Sequence, residues 1–279
     1  MGKYFDRFST GLRIGRPDSV GLIRNSIFNE ARCKLYRARC HAHEVSLLWE
    51  QAVEHHFTSI FVAETQPFSS APWVVPIPFE IPLAIGDCIR NLRTALDYLV
   101  AAMARQAGLS DKQIVFPFEE EREKVIRSFD PAARKGVRQR ALFDIFRKYP
   151  EIKGVILDEI QPFSCENGAK VGGDLLWRTI TSDNIDKHRL MVPRTTKTNM
   201  KKVVKGGITF HNCQAYGANA IEIAGVGLNH FDPESEFTTD MLFWHPSRLA
   251  GRPVLSTLLE AGNQVAIVIE KFESKFGIK

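Results

Sequence analysis

The clearest hydrophobic pattern in the chain is a stripe of apolar residues between positions 85 and 103. Its members are three or four residues apart, the spacing of one helix face, and they are Ile85, Cys88, Ile89, Leu92, Leu96, Leu99 and Met103. Pro82 is tolerated in a first helical turn, and Gly108 is a common stop signal. The pattern therefore predicts a helix between Pro82 and Gly108.

Two polar ridges flank this apolar stripe. At about 100° per residue, one ridge contains Arg90, Arg93 and Asp97. The second ridge consists of Asp87, Asn91, Thr94 and Tyr98. Arg93 and Asp97 are four residues apart, so they can pair directly. The ridges fit either the charged flanks of a core helix or a site that faces another polar segment.

Helical periodicity recurs near both ends of the chain. Apolar residues from Ser26 to about Phe57 predict a long first helix, and Asn25 or Ser26 can cap its start. Residues 253–276 predict a last helix that begins at a proline. A strand over residues 265–269 is the competing interpretation of that segment.

The middle of the chain predicts shorter helices. The charged residues 119–150 predict two helices that are broken near Asp130-Pro131. Residues 155–160 predict a short helix that ends at Gln161-Pro162, and Asp174 to about Asp186 predicts another.

Runs of β-branched and aromatic residues predict strands in two parts of the chain. Residues 60–62 and 73–75 surround a loop rich in proline and serine, which predicts a β-hairpin near residues 58–79. Residues 197–205 are basic and turn-like. Alternation after residue 190 predicts an antiparallel sheet with strands at 208–210, 220–223 and 241–244.

Together these elements predict an α+β fold, in which long helices pack together and against an antiparallel sheet formed mainly by the C-terminal half. We expect residues 1–22 to be a loosely attached N-terminal extension and residues 23–279 to form a single domain. Within that domain, residues 23–189 are expected to be mainly helical, residues 190–252 to be β-rich, and residues 253–276 to form the C-terminal helix.

Composition indicates an ordinary globular protein. Of 279 residues, 44% are hydrophobic and 25% are charged. The net charge of +5 suits nucleic acid or another anionic ligand without being diagnostic of either. The five scattered cysteines predict reduced thiols and a cytoplasmic location. The N-terminus lacks the apolar core of a signal peptide, and no run approaches the roughly 18 apolar residues of a membrane span, so we expect no membrane partner.

The sequence predicts neither a cofactor nor a metal ion. It contains no nucleophile elbow, no dinucleotide-binding glycine pattern, no His-Glu-x-x-His and no Cys-x-x-Cys. The first helix is rich in histidine and cysteine, but the spacing is wrong for a metal. His41 and His43 point to different helix faces, and Cys33 and Cys40 lie two turns apart.

A second polar cluster ends the helix predicted over residues 174–186. Its members are Asn184, Asp186, Lys187, His188 and Arg189. Because imidazole titrates near neutral pH, His188 is the best candidate for acid–base chemistry, with Arg93 and Asp97 as the other candidate catalytic residues. The candidate ligand-binding residues are Arg90, Asn91, Tyr98, Asn184, Asp186, Lys187 and Arg189.

The sequence leaves three functions open. In the first, a polar pocket between the two clusters binds a phosphate-bearing ligand such as RNA or a nucleotide, with Arg93 and Arg189 holding the anion. In the second, the pairs Arg93–Asp97 and Asp186–Arg189 are buried ion pairs in a non-enzymatic interaction protein, a homodimer through its long helices. In the third, the basic residues 132–148 bind nucleic acid directly. Whether the chain is an enzyme stays open.

The two clusters resemble a widespread group of uncharacterised bacterial and phage proteins. The motifs that carry the resemblance are Gly86-Asp87, Asn91-Leu92-Arg93, Ala95-Leu96-Asp97 and the downstream Asn184-Ile185-Asp186-Lys187-His188-Arg189. The long first helix, the turn at residues 161–163 and the last helix follow in the same order. This resemblance covers most of the chain and implies no activity by itself.

A shorter resemblance concerns the helix around Arg93. Members of the group often have histidine where Tyr98 stands, and an Arg-x4-His helix looks like the RNA-cleaving motif of HEPN-type domains. Those domains are mostly helical and act as dimers, so the resemblance implies a ribonuclease. This chain departs from the motif at Tyr98, the residue expected to do the acid–base work, and its predicted sheet is foreign to a small HEPN bundle.

Overall fold

The structure of the chain is a computed structural model. It describes residues 8–9, 26–62, 75–111, 114–130, 137–164, 173–186, 190–195, 199–205, 208–214, 222–223, 226–227 and 236–277. The chain forms two compact units. Unit one comprises residues 1–15, 42–85 and 191–257, and unit two comprises residues 16–41, 86–190 and 258–279. The expected single domain over residues 23–279, with a separate extension over 1–22, stays a prediction.

Helices dominate the described residues. The α-helices are α1 (Asn29–Val62), α2 (Glu80–Gln106), α3 (Arg122–Arg127), α4 (Val137–Lys148), α5 (Glu151–Gly154), α6 (Gly173–Asp186) and α7 (Val254–Phe276). A π-helical turn over Val155–Ile160 continues α5. The strands are short by comparison, so the chain is α+β with a minor sheet.

Most strands lie in the C-terminal half. They are β1 (Phe8–Ser9), β2 (Arg194–Thr195), β3 (Asn199–Lys205), β4 (Ile208–Gln214), β5 (Glu222–Ile223), β6 (Val226–Gly227), β7 (Glu236–Thr238) and β8 (Met241–Leu242). One sheet has the order β1-β7-β3-β4, in which β1 is parallel to β7 and the other pairs are antiparallel. Two further antiparallel pairs are β2–β8 and β5–β6.

Two predictions about strands are wrong. Residues 199–205 form β3 instead of a turn, because pairing with β4 satisfies the backbone whatever the charge of the side chains. Residues 60–62 continue α1 instead of starting a hairpin, since extending an existing helix is easier than starting a new element. Of the expected second strand of that hairpin, residues 73–74 lie outside the described residues and Val75 is in no strand.

The best-marked helix of the sequence is confirmed as α2. All seven residues of its apolar stripe are buried, with at most 1% of any of them exposed. Gly108 ends the helix in a left-handed conformation at φ 70°, and the Leu109 N–H donates to the Ala104 carbonyl at 2.9 Å. The Lys148 ammonium donates to the Ala107 carbonyl at 2.7 Å, so it too occupies a carbonyl at this end.

The other predicted helices are also present. Ser26 caps the start of α1, because its Oγ accepts from the Phe28 N–H at 3.1 Å. Helices α3 and α4 fall on either side of the break expected near Asp130-Pro131. The last predicted helix is α7, so the alternative of a strand over residues 265–269 is wrong.

The π-helical turn and its exit fix where α6 begins. Gln161 ends the turn in a left-handed conformation at φ 54° and ψ 59°, at the predicted stop. The first residue of α6, Gly173, packs on this exit, and a Cβ added to it would lie 1.9 Å from the Gln161 carbonyl oxygen. Only glycine fits at this approach.

Ion pairs tie α7 to other parts of unit two. Arg32 of α1 binds the Glu273 carboxylate through two nitrogens, with Nε–Oε1 at 2.7 Å. Lys271 and Lys275 both donate to Glu159 of the π-helical turn, the first at 2.9 Å. These two hydrogen bonds lower the pKa of the Glu159 carboxyl.

The Glu159 contacts predict a pH-dependent part of the stability. Because the pKa is lower in the folded than in the unfolded state, ionised Glu159 stabilises the fold above the unfolded-state pKa. This stabilisation is lost as the pH falls through the folded-state value. We expect Glu159→Gln to lower the free energy of unfolding by about 0.5 kcal/mol near neutral pH, since the pair is partly exposed.

Urea unfolding of both proteins at about pH 7 and about pH 3 measures this difference. The difference should shrink at the lower pH, and the control Glu54→Gln, which changes an exposed glutamate within α1, should show no such trend. A difference of equal size at both pH values would contradict the assignment.

Candidate functional site

A polar ridge of α2 meets the last turn of α6 within unit two. We call this group the α2–α6 cluster, and its described members are Gly86, Asp87, Arg90, Arg93, Asp97, Asp183, Asn184 and Asp186. The α2 residues include the ridge that helical spacing predicts. The structure thus brings the two polar segments of the sequence together, as far as it describes them.

Arg93 is the centre of the cluster. Its Nη1 donates to Asp183 Oδ2 at 2.9 Å and to Asn184 Oδ1 at 2.5 Å. Its Nε lies 3.9 Å from Asp97 Oδ2, and its guanidinium carbon lies 5.7 Å from the centre of the Phe118 ring. Only 16% of the side chain is exposed. Arg93 is therefore enclosed by protein partners.

Asp183 is the most deeply buried charged residue of the cluster. Its side chain is 1% exposed, and Arg90 Nε lies 3.8 Å from its Oδ1 in addition to the bond from Arg93. Burying a carboxylate is costly unless a cation and hydrogen bonds compensate for the lost water. The candidate residues from the sequence did not include Asp183. A signal was present, because Asp183 continues the buried face of Leu176 and Ile180 at helical spacing.

Gly86 allows α2 to approach the Asp186 carboxylate closely. A Cβ at position 86 would lie 2.4 Å from Asp186 Oδ2, which is closer than nonbonded atoms can come. Arg90 lies at the rim of the same contact, with Nη2 3.8 Å from Asp186 Oδ2 and Nη1 4.0 Å from Asp87 Oδ1. Half of the Arg90 side chain is exposed. The Asp186 carboxylate thus fills the space that a side chain at position 86 would need, whereas Arg90 is open to solvent.

Asp97 anchors the segment that covers Arg93. Its Oδ1 accepts a hydrogen bond from the Phe116 N–H at 2.8 Å. The rings of Phe116 and Phe118 stack with their centres 5.7 Å apart and their planes at 29°. This places Phe118 over Arg93. The carboxylate at position 97 therefore binds backbone, which is a structural use of a candidate catalytic residue.

At Tyr98, the second polar ridge of α2 meets α1. Asn91 donates to the Asp87 backbone carbonyl at 2.8 Å, and Lys34 Nζ lies 5.9 Å from the centre of the Tyr98 ring. Tyr98 lines an open cleft of about 360 Å³ with Asn29, Glu30, Cys33, Lys34 and Arg37. Tyr98 thus belongs to this cleft instead of the surroundings of Arg93.

Three candidate residues, Lys187, His188 and Arg189, lie outside the described residues, so their roles stay predictions. Among the described members, four carboxylates (Asp87, Asp97, Asp183, Asp186) face two guanidiniums (Arg90, Arg93), an excess of two negative charges. Within the described part of the chain, no three histidine, cysteine or acidic side chains are placed to share a metal ion.

Comparisons with protein families, with curated proteins and with solved structures find no match to this chain. No helix in the described segments combines the length and apolar character needed to cross a lipid bilayer.

The contact between Gly86 and Asp186 predicts a change of sign in a double-mutant cycle. In the wild-type background, Gly86→Ala should lower the free energy of unfolding by about 1–3 kcal/mol, because the methyl group collides with the carboxylate. In an Asp186→Ala background, the same change should be neutral or stabilising by up to about 1 kcal/mol, since alanine favours a helix.

Urea unfolding of the four proteins measures the cycle. Gly262→Ala is a matched control in α7, because a Cβ there meets nothing within 4 Å. Equal effects of Gly86→Ala in the two backgrounds would contradict the close contact.

Proposed function

We propose that this chain is a non-catalytic interaction protein and that the α2–α6 cluster is an ion-pair network that joins two helices. The observation that carries the proposal is the 2.9 Å hydrogen bond from Arg93 to the buried Asp183 carboxylate. A buried ion pair of this kind loses its compensation if either partner turns to a ligand.

The surroundings of Arg93 support this proposal. An arginine that recognises phosphate presents parallel N–H groups to the ligand. Here Nη1 already serves Asp183 and Asn184, and Phe118 covers the guanidinium. The excess of carboxylates among the described members also opposes an anionic ligand. The HEPN-like ribonuclease is therefore the less favoured function, and Tyr98 lies in the cleft beside α1.

A phosphate-bearing ligand such as RNA or a nucleotide remains the second candidate, and Arg90 is the observation in its favour. Its side chain is half exposed, and its contacts with three aspartates are 3.8–4.0 Å long. If the chain has this second function, Arg90 and Arg189 hold the phosphate, and His188 is the acid or base. Asn91, Asn184, Asp186 and Lys187 complete the proposed site.

We further propose a homodimer in the cytoplasm. Leu259 and Ile267 of α7 are exposed large apolar residues, which a second copy of the chain would cover. The cysteines at 33, 40 and 88 are free thiols, which supports a reducing compartment.

The ion-pair network predicts a graded loss of stability. Arg93→Ala should lower the free energy of unfolding by about 3 kcal/mol or more, because it leaves the Asp183 carboxylate buried without its main cation. Arg90→Ala, at the exposed rim, should cost less than about 1 kcal/mol. Urea unfolding compares the two arginine variants directly. An Arg93→Ala protein as stable as Arg90→Ala would contradict a structural role for Arg93.

The proposed function predicts no turnover. Wild-type protein incubated with RNA or nucleoside triphosphates should yield no product. For the proposed homodimer, light scattering of the wild type should give the mass of two chains. A His188→Ala variant serves as the matched control. If the wild type releases product and an equally stable His188→Ala variant does not, the site is catalytic and the proposal is overturned.

A further inference from the structure

An arginine side chain packs on the ring of an exposed tryptophan in unit one. Trp244 follows β8, and 47% of it is exposed. The guanidinium carbon of Arg194 lies 4.7 Å from the centre of its ring. The His245 ring meets the same indole edge-on, with centres 5.9 Å apart and planes at 76°. A large aromatic surface is thus presented together with the cationic group of Arg194.

The pairing of two short strands places Arg194 beside Trp244. In the antiparallel pair β2–β8, Arg194 is opposite Leu242, two residues before Trp244. Such diagonal neighbours lie on the same face of a ladder. Val192, two residues before Arg194, is also exposed, whereas Met191 and Pro193 are buried. The exposed face of β2 and the Trp244 ring therefore form one surface.

The residues after Trp244 form an ordered loop. The Phe243 N–H donates to the Arg252 carbonyl at 2.9 Å, and the Gly251 N–H donates to the Phe243 carbonyl at 2.8 Å. Inside the loop, the Leu249 N–H donates to Ser247 Oγ at 3.0 Å, and both of these side chains are buried. We call residues 244–252 the tryptophan loop. Its internal bonds hold Trp244 in place before any partner arrives.

The two segments that form this surface contain arginines and no acidic residue. The tryptophan loop contains Arg248 and Arg252, and Arg194 lies against Trp244. The sequence has no acidic residue between Asp240 and Glu260. A surface of this composition attracts polyanions.

We propose that the tryptophan loop and Arg194 form a binding site for single-stranded nucleic acid. An unpaired base stacks on the exposed part of the Trp244 ring that Arg194 does not cover, and the arginines contact the adjacent phosphates. Proteins that bind single strands combine these two elements, because every base has a π-face and the backbone is a line of negative charge. A duplex hides its bases in the stack, so it cannot use the tryptophan.

Positive charge decides for nucleic acid over a protein partner. Tryptophan and arginine are both enriched in protein–protein hot spots, so the choice rests on net charge, because the segment between Asp240 and Glu260 has no acidic residue. Here the aromatic ring is accompanied by three arginines within two short segments. All of these residues belong to unit one, and none of them belongs to the α2–α6 cluster.

Fluorescence anisotropy with a labelled single-stranded RNA of about 12 nucleotides tests the site, because single-strand sites span roughly 4–16 nucleotides. We expect the full chain to bind it at low salt and Trp244→Ala to weaken binding by about tenfold or more. Trp244→Phe should keep most of the affinity. Arg248→Ala should reduce the slope of log affinity against log salt by about 0.7.

Two controls separate this site from general effects. Phe79→Ala removes another exposed aromatic residue, 70% exposed, and should leave the affinity unchanged. Arg122→Ala removes an exposed arginine elsewhere and should leave the salt slope unchanged. Thermal unfolding of each variant shows whether it is folded. If Trp244→Ala fails to fold, the single variants Trp244→Phe and Arg194→Gln provide the test. RNA affinity should then fall for Arg194→Gln and stay nearly unchanged for Trp244→Phe.

Three results would overturn the proposal. The first is no binding of single-stranded RNA or DNA by the wild type at low salt. The second is equal binding by the wild type and a folded Trp244→Ala variant, which would move any nucleic-acid site elsewhere, for example to α4. The third is a Trp244→Ala variant that no longer self-associates but still binds RNA, which would assign Trp244 to a protein interface.

Discussion

The buried Asp183 carboxylate is compensated by a hydrogen bond from the Arg93 guanidinium, and several contacts of unit two depend on this pair. The partners of Arg93 are in turn positioned by other contacts. Asp97 holds the backbone at Phe116, and Phe118 covers the guanidinium from the next residues of the same segment. The contacts that compensate one desolvated charge therefore connect α6, α2 and the segment after α2.

This arrangement explains why the same residue types can suggest a catalytic site in the sequence. Arginine, aspartate and asparagine at helical spacing are common to phosphate sites and to buried ion-pair networks. The deciding information is the direction of the Arg93 donors, which depends on α6, some ninety residues away in the sequence. Spacing within α2 identifies the ridge, whereas only the tertiary contact identifies what the ridge does.

The sequence predicts elements with strong local signals and fails where distant contacts decide. The α2 stripe, the left-handed stop at Gly108 and the helix α7 follow from periodicity and glycine chemistry. Strand β3 does not, because its partner β4, and not its own lysine-rich composition, stabilises it. The polar site is intermediate. Both clusters are visible in the sequence, but the role of Asp183 follows only from its tertiary hydrogen bond with Arg93.

Helix α6 makes one very close contact at each of its ends. Gly173 lies against the Gln161 carbonyl, and Asp186 lies against Gly86. The helix is therefore fixed in rotation as well as in position. One residue inserted between Gly173 and Asp183 would turn the following side chains by about 100° and move Asp183 away from Arg93. Substitutions on its outer face leave this angular setting intact, so α6 should accept changes of side chain far more readily than changes of length.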